Sequence, residues 1–108
     1  MLNEQEFRSV SESALAALER DLHRAADRHD FEVDHNQGAL TIEFEDPPAK
    51  FVVSPNSPVR QIWISARVKS FKLDWNPASK KFVFEDGRNL HKLVADLVSE
   101  QIGEAVTL

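Results

Sequence analysis

The chain has no cysteine. That excludes disulfides, thiolate zinc sites and thiol nucleophiles, and any iron–sulfur cluster held on its own thiolates. No apolar run approaches the ~20 residues that span a bilayer. The N-terminus lacks the apolar segment of a signal peptide, because Met1-Leu2-Asn3-Glu4 leads straight into a polar helical pattern. A cytoplasmic protein is therefore expected. There is no phosphate loop, no His-rich metal motif and no nucleophile–base pairing of recognisable type, so no classical enzyme is expected. Internal repeats, low-complexity tracts and linkers are also missing.

What remains is an ordinary globular composition, 42% hydrophobic and 29% charged. Its 108 residues suffice for one domain, 1–108, with a core that needs no staples. The net charge of −5 matters less than its placement. From His29 to Asp46 there are six acids and no Lys or Arg, whereas from Pro47 to Lys81 there are seven bases and one acid, Asp74. The blocks imply two opposed electrostatic faces.

Periodicity then gives the elements. Asn3 with Glu6 reads as a capping box, and Phe7, Val10, Ala14, Leu18, Leu22 and Ala25 recur every three or four residues as a buried helical stripe. The helix should fray near Arg28–Asp30. Short strands follow. Phe31–His35 turns at Asn36-Gln37-Gly38 into Ala39–Glu45, and Asp46-Pro47-Pro48 breaks the chain before Lys50–Ser54. A second break at Pro55–Pro58 precedes Ser57–Ala66. Ser70–Trp75 then turns at Asn76–Ser79 into Lys81–Glu85. Asp86-Gly87 leads to a second helix with Leu90, Leu93, Val94 and Leu97 inward, stopped near Gly103. Tight turns make the strands antiparallel. The expected fold is α+β, a two-layer sandwich with two helices on one face of a sheet of about six strands, in the order α-β-β-β-β-β-β-α.

The stretch Ser57–Ala66 reads SPVRQIWISA and alternates with period two. Arg60, Ile62, Ile64 and Ala66 share one face, and Gln61, Trp63 and Ser65 share the other. If the helices cover the isoleucines, Trp63 stands on the open face near Lys72. An uncovered aromatic ringed by polar groups has the make-up of a binding hot spot. Equally, long Lys or Arg stems could lie over the indole and cover it.

The segments ALTIEF, QIWIS, LDW and EDGRNLHKLVADL, in this order between two helices, resemble frataxin, including its bacterial branch, from about Glu6 to Ile102. The resemblance implies a frataxin-like fold and a small iron-binding protein of iron–sulfur cluster assembly, a regulator or iron donor. It also implies binding to the cysteine desulfurase–scaffold complex through the open sheet face and acidic edge, with Trp63 as interface anchor and Gln61 as its polar partner. Lys72 stands where eukaryotic members tend to have arginine, and Asn56 and Ser65 complete the expected contact surface. Iron, Fe2+ or Fe3+, would be held weakly by carboxylates of the first helix and first strand, here Glu19, Asp30, Glu32 and Asp34. A monomer is expected, with metal-induced oligomers also within the family's range, and ferroxidase activity is credited to some members. The chain departs from the pattern where Arg20, His23 and Arg24 occupy positions at which acids are common. It departs again at Ser54 and Asn56, where asparagine and glutamine are usual.

Carboxylate oxygens suit iron cations. Alternate residues on a strand stand about 7 Å apart, so Glu32 and Asp34 share a face without forming one tight site. Glu19, His23 and Asp27 follow at i, i+4, i+8, so His23 and Asp27 are weaker candidates on a helical stripe. Against metal there, Arg20, Arg24 and Arg28 run alongside and would pair with the same acids. An alternative outside the resemblance is a single-stranded nucleic-acid module, with Trp63 stacking bases and Arg60, Arg67, Lys69 and Lys72 tracking phosphates. The acidic net charge and the single exposed ring weigh against it, and neither nucleic acid nor membrane is expected as a partner.

Overall fold

A computed structural model describes residues 2–108; Met1, placed ahead of the first helix by the sequence, lies outside them. Two helices flank six strands: α1 (Glu4–Ala26), β1 (Glu32–Asn36), β2 (Ala39–Glu45), β3 (Pro48–Asn56), β4 (Gln61–Ala66), β5 (Lys69–Asn76), β6 (Lys81–Val83) and α2 (Leu90–Ile102). The strands form one antiparallel meander in sequential order. This is the α+β sandwich that the periodicities imply, with no described helix long and apolar enough to cross a membrane.

One core joins the layers. Ile42, Val53, Ile62, Ile64 and Leu73 of the sheet pack with Leu18 and Leu22 of α1 and with Leu93, Val94 and Val98 of α2. The capping box forms as read: Glu6 N–H donates to Asn3 Oδ1 at 2.8 Å, and Asn3 N–H donates to Glu6 Oε1 at 3.0 Å. The buried line of α1 is rotated from the expected stripe. Ser11 and Leu15 are buried, while Val10 and Ala14 are only partly so. Ser11 is tolerated there because its hydroxyl donates to the Arg8 carbonyl at 3.2 Å. In α2, Ala95, Val98 and Gln101 join the buried set, and Leu97 stands at its margin.

Strand ends differ from the sequence reading for local reasons. β3 runs through both of its prolines, because Pro48 pairs only with β2 and Pro55 only with β4. Neither therefore has to donate to a second neighbour. β4 starts at Gln61 rather than Ser57. Ser57–Val59 form a single 3-10 turn, and Arg60 takes the left-handed region at φ 54°. Arg60 therefore leaves the isoleucine face, and its guanidinium donates to the carbonyls of Leu2 and Ser57. β1 starts at Glu32, with Phe31 buried just before it. β6 ends at Val83, and Phe84 packs edge-on against Phe71, ring centroids 5.3 Å apart.

The turn into α2 is tied by charge. Arg88 bonds Asp86 at 2.7 Å and Asp96 at 3.1 Å, and Lys92 bonds Asp96 at 2.9 Å. The Arg88 hydrogen bonds hold the Asp86 carboxyl below the usual range, and Lys92 followed by Arg88 does the same for Asp96. After Gly103 the chain folds back so that Val106 is buried and its N–H donates to Ser99 Oγ at 2.9 Å.

Candidate functional site

Alternation along β4 divides its side chains sharply. Ile62 and Ile64 are 0% and 1% exposed under the helices, whereas Trp63 between them is 36% exposed on the open face. The register sets its neighbours: Ser54 of β3 and Lys72 of β5 lie opposite Trp63, and Asp74 lies opposite Gln61. Both arrangements left open by the sequence are present in part. The Lys72 ammonium sits 4.9 Å from the indole centroid, within cation–π range. About a third of the residue nevertheless remains open to solvent.

The indole is also tied at its polar end. Trp63 Nε1–H donates to Gln61 Oε1 at 2.8 Å, and Gln61 Nε2 donates to Asp74 Oδ1 at 3.0 Å. Asn56, opposite Gln61, and Ser65, two residues along from Trp63, lie on the same face as the ring. The predicted contact residues Asn56, Gln61, Trp63, Ser65 and Lys72 thus share one open face. Asp74 belongs with them. Its outward position was readable from the alternation of β5, but its link to Gln61 depends on a cross-strand register that the sequence leaves unstated.

The charge blocks do not form opposed faces. Acid and base meet on the outer surface, with Glu32 paired to Glu43 across β1–β2, and Glu43 paired in turn to Lys50 across β2–β3.

The predicted metal residues are divided. Glu32 and Asp34 point to the open face, in register with Glu43 and Thr41, and Asp30 is exposed in the bend before β1. Glu19 lies on α1, on the other side of the sheet, and its carboxylate meets two imidazoles, His35 Nδ1 at 3.2 Å and His23 Nε2 at 3.4 Å. His35 reaches it because it shares register with Leu40 on the covered face. Asp27 caps the C-terminus of α1. Among the described residues no three His, Asp or Glu side chains gather as a site that could hold a metal ion. Among the described residues the arginine pairing on α1 is Arg24 with Asp21 at 3.6 Å, and histidines meet Glu19, Asp21 and Glu104. His91 meets Asp21 at 3.2 Å and His29 meets Glu104 at 2.9 Å.

The basic track around Trp63 is not assembled. Arg60 is bound to backbone carbonyls, Arg67 Nε donates to Gln101 at 2.6 Å, and Lys69 pairs in register with buried Ala66. Among the described residues only Lys72 reaches the ring, which leaves no phosphate track there for stacked bases.

Comparison with known proteins bears on the whole chain. A family described as "Frataxin-like domain" matches residues 1–104. The iron–sulfur cluster assembly protein CyaY of Dechloromonas aromatica (strain RCB) is 34% identical over 107 residues, covering 99% of each chain. That of Pseudomonas putida (strain GB-1) is 32% identical over 104 residues, 95% of this chain and 92% of its own. The solved frataxin of Psychromonas ingrahamii superimposes with a TM-score of 0.84 over 98% of this chain and 97% of its own, at 21% identity. That likeness speaks for the fold alone.

Proposed function

The chain belongs to the frataxin family, and from that premise we propose that it acts in iron–sulfur cluster assembly as a non-enzymatic regulator or iron donor. It docks on the cysteine desulfurase–scaffold complex through the open sheet face. The observation that carries this reading is the partly exposed Trp63, held beside Gln61 and Lys72 on a surface that the helices leave uncovered. An ordered, partly solvated aromatic within a polar rim is the composition of an interface anchor. The relatives named as cluster assembly proteins align along nearly the entire chain, which supports placing this chain in the same process.

Iron is cargo here. Asp30, Glu32 and Asp34 supply exposed oxygen donors whose mutual repulsion a cation relieves. Their spacing along the strand and the absence of a convergent set favour loose, exchangeable binding. Glu19 contributes only after releasing its histidines, so it stands second to the β1 acids. Coordinating groups of this kind suit transfer of iron rather than tight storage.

The test is cluster-assembly kinetics with the matching desulfurase and scaffold, run with and without the chain, beside capture of the chain by that complex and an iron titration followed by backbone NMR. Capture with a changed assembly rate, and shifts or broadening at Asp30, Glu32 and Asp34, are expected. No capture and an unchanged rate would overturn the docking role. Silent amides at those three acids would overturn the iron assignment.

A further inference from the structure

Resting on the docking role given to Trp63, we infer that Asp74 is a positioning residue of the open face, acting on the partner through Gln61 and Trp63 rather than by touching it.

The reasoning begins with what Gln61 can offer. Its side-chain amide has one accepting end and one donating end, and its terminal torsion is nearly two-fold, so turning it over exchanges the two. Trp63 Nε1–H is only a donor and needs the oxygen. With the amide reversed, two donors would face each other. An ionised carboxylate only accepts, so Asp74 can be met only by the NH2 end of Gln61. The observed chain has this polarity throughout, Trp63 Nε1–H to Gln61 Oε1 at 2.8 Å and Gln61 Nε2 to Asp74 Oδ1 at 3.0 Å. The carboxylate makes the second link charge-assisted, the stronger kind. Asp74 therefore decides which end of Gln61 faces the indole.

Cross-strand geometry makes the relay rigid. Gln61 lies opposite Asp74 and Trp63 opposite Lys72, so all four side chains stand on one face of one strand pair. The indole is held at its nitrogen by Gln61 and over its ring by Lys72. Its one donor is used inside the protein. A partner thus meets an oriented apolar surface with no hydrogen bond to satisfy, and ordering the ring adds little cost at the moment of docking. Releasing one such side chain corresponds to about a three- to tenfold loss of affinity.

The experiment uses the full chain. The Trp63 indole N–H resonance is assigned with Trp63→Phe, then followed in Asp74→Ala, and affinity for the desulfurase–scaffold complex is measured for Asp74→Ala with Trp63 intact and in a Trp63→Ala background. A moved or broadened indole resonance is expected, with an unchanged backbone amide spectrum elsewhere. Affinity should fall about three- to tenfold with Trp63 present and not change when it is absent. The double variant Gln61→Glu with Asp74→Asn places an acceptor at 61 and a donor at 74, and should restore both readouts. An indole resonance that stays in place in Asp74→Ala overturns the inference, as does an equal loss of affinity in the Trp63→Ala background. If the wild-type chain is not captured at all, the docking role falls. The indole resonance then still decides whether Asp74 orients the ring.

Discussion

Replacing Trp63 with alanine and, separately, Ile64 with alanine puts two adjacent β4 residues to opposite tests. Ile64 is 1% exposed. Its truncation loses three carbons, about 2.4 kcal/mol at roughly 0.8 kcal/mol per methylene, and leaves a cavity, for a total of about 2–5 kcal/mol. Trp63 is held less deeply, by one hydrogen bond and by Lys72 over its ring. A net hydrogen bond contributes about 1 kcal/mol and an exposed cation–π contact about 0.5–1 kcal/mol. Trp63→Ala should therefore cost about 1–2 kcal/mol of folding stability. With a urea slope of about 2 kcal/mol per molar, the midpoint should move by roughly 0.5–1 M for Trp63→Ala and by 1 M or more for Ile64→Ala. Urea titration followed by circular dichroism reads both, because it does not depend on the deleted fluorophore. Binding should show the reverse order. Trp63→Ala should lose about 2 kcal/mol or more of affinity for the desulfurase–scaffold complex, while folded Ile64→Ala should bind within about twofold. Loss of stability by Trp63→Ala equal to that of Ile64→Ala, with binding intact, would make the indole part of the fold and refute the reasoning.

Asn3→Ala removes the acceptor for Glu6 N–H and should cost about 1 kcal/mol in urea unfolding, with Asn3→Gly costing only a few tenths. Asp96 and Asp86 have carboxyls held below their usual range by Lys92 and Arg88. A carboxyl lowered in the folded state stabilises above its unfolded value and loses that contribution as pH falls through its folded value. Stability should thus decline below about pH 4. Arg88→Met should flatten that decline while lowering neutral-pH stability only slightly, since the pairs are solvent-screened. Thermal melts from pH 3 to 7 would show this, and parallel curves for the two proteins would refute it.

Much of the architecture was legible because period-two alternation and proline breaks are local signals. Asn3 with Glu6 marked the start of α1, and ALTIEFE marked β2 almost to the residue. Legibility failed where position depends on packing against something distant. Ser11 and Leu15 enter the core because of how α1 is rotated on the sheet, which its own pattern could not fix. Pro55 looked like an end, yet β2 stops short of it and leaves its missing N–H without consequence. The open face was readable residue by residue, but its internal wiring was not. Gln61 and Asp74 are 13 positions apart and meet only through the β4–β5 register. The expected metal residues are divided between the two sides of the sheet for a related reason. The resemblance grouped Glu19 with the β1 acids, and nothing in the sequence showed that it would lie on the opposite side of the sheet, facing His35.

The position of β1 at the end of the meander has a consequence for how copies of the protein meet. Its outer backbone groups have no strand beside them, so they form a ready template for a neighbouring molecule. Glu32 and Asp34 stand on that border, and a second copy laid alongside would bring four carboxylates together, which opposes such contact. These charges are thus a barrier to self-association, and neutralising them weakens that barrier.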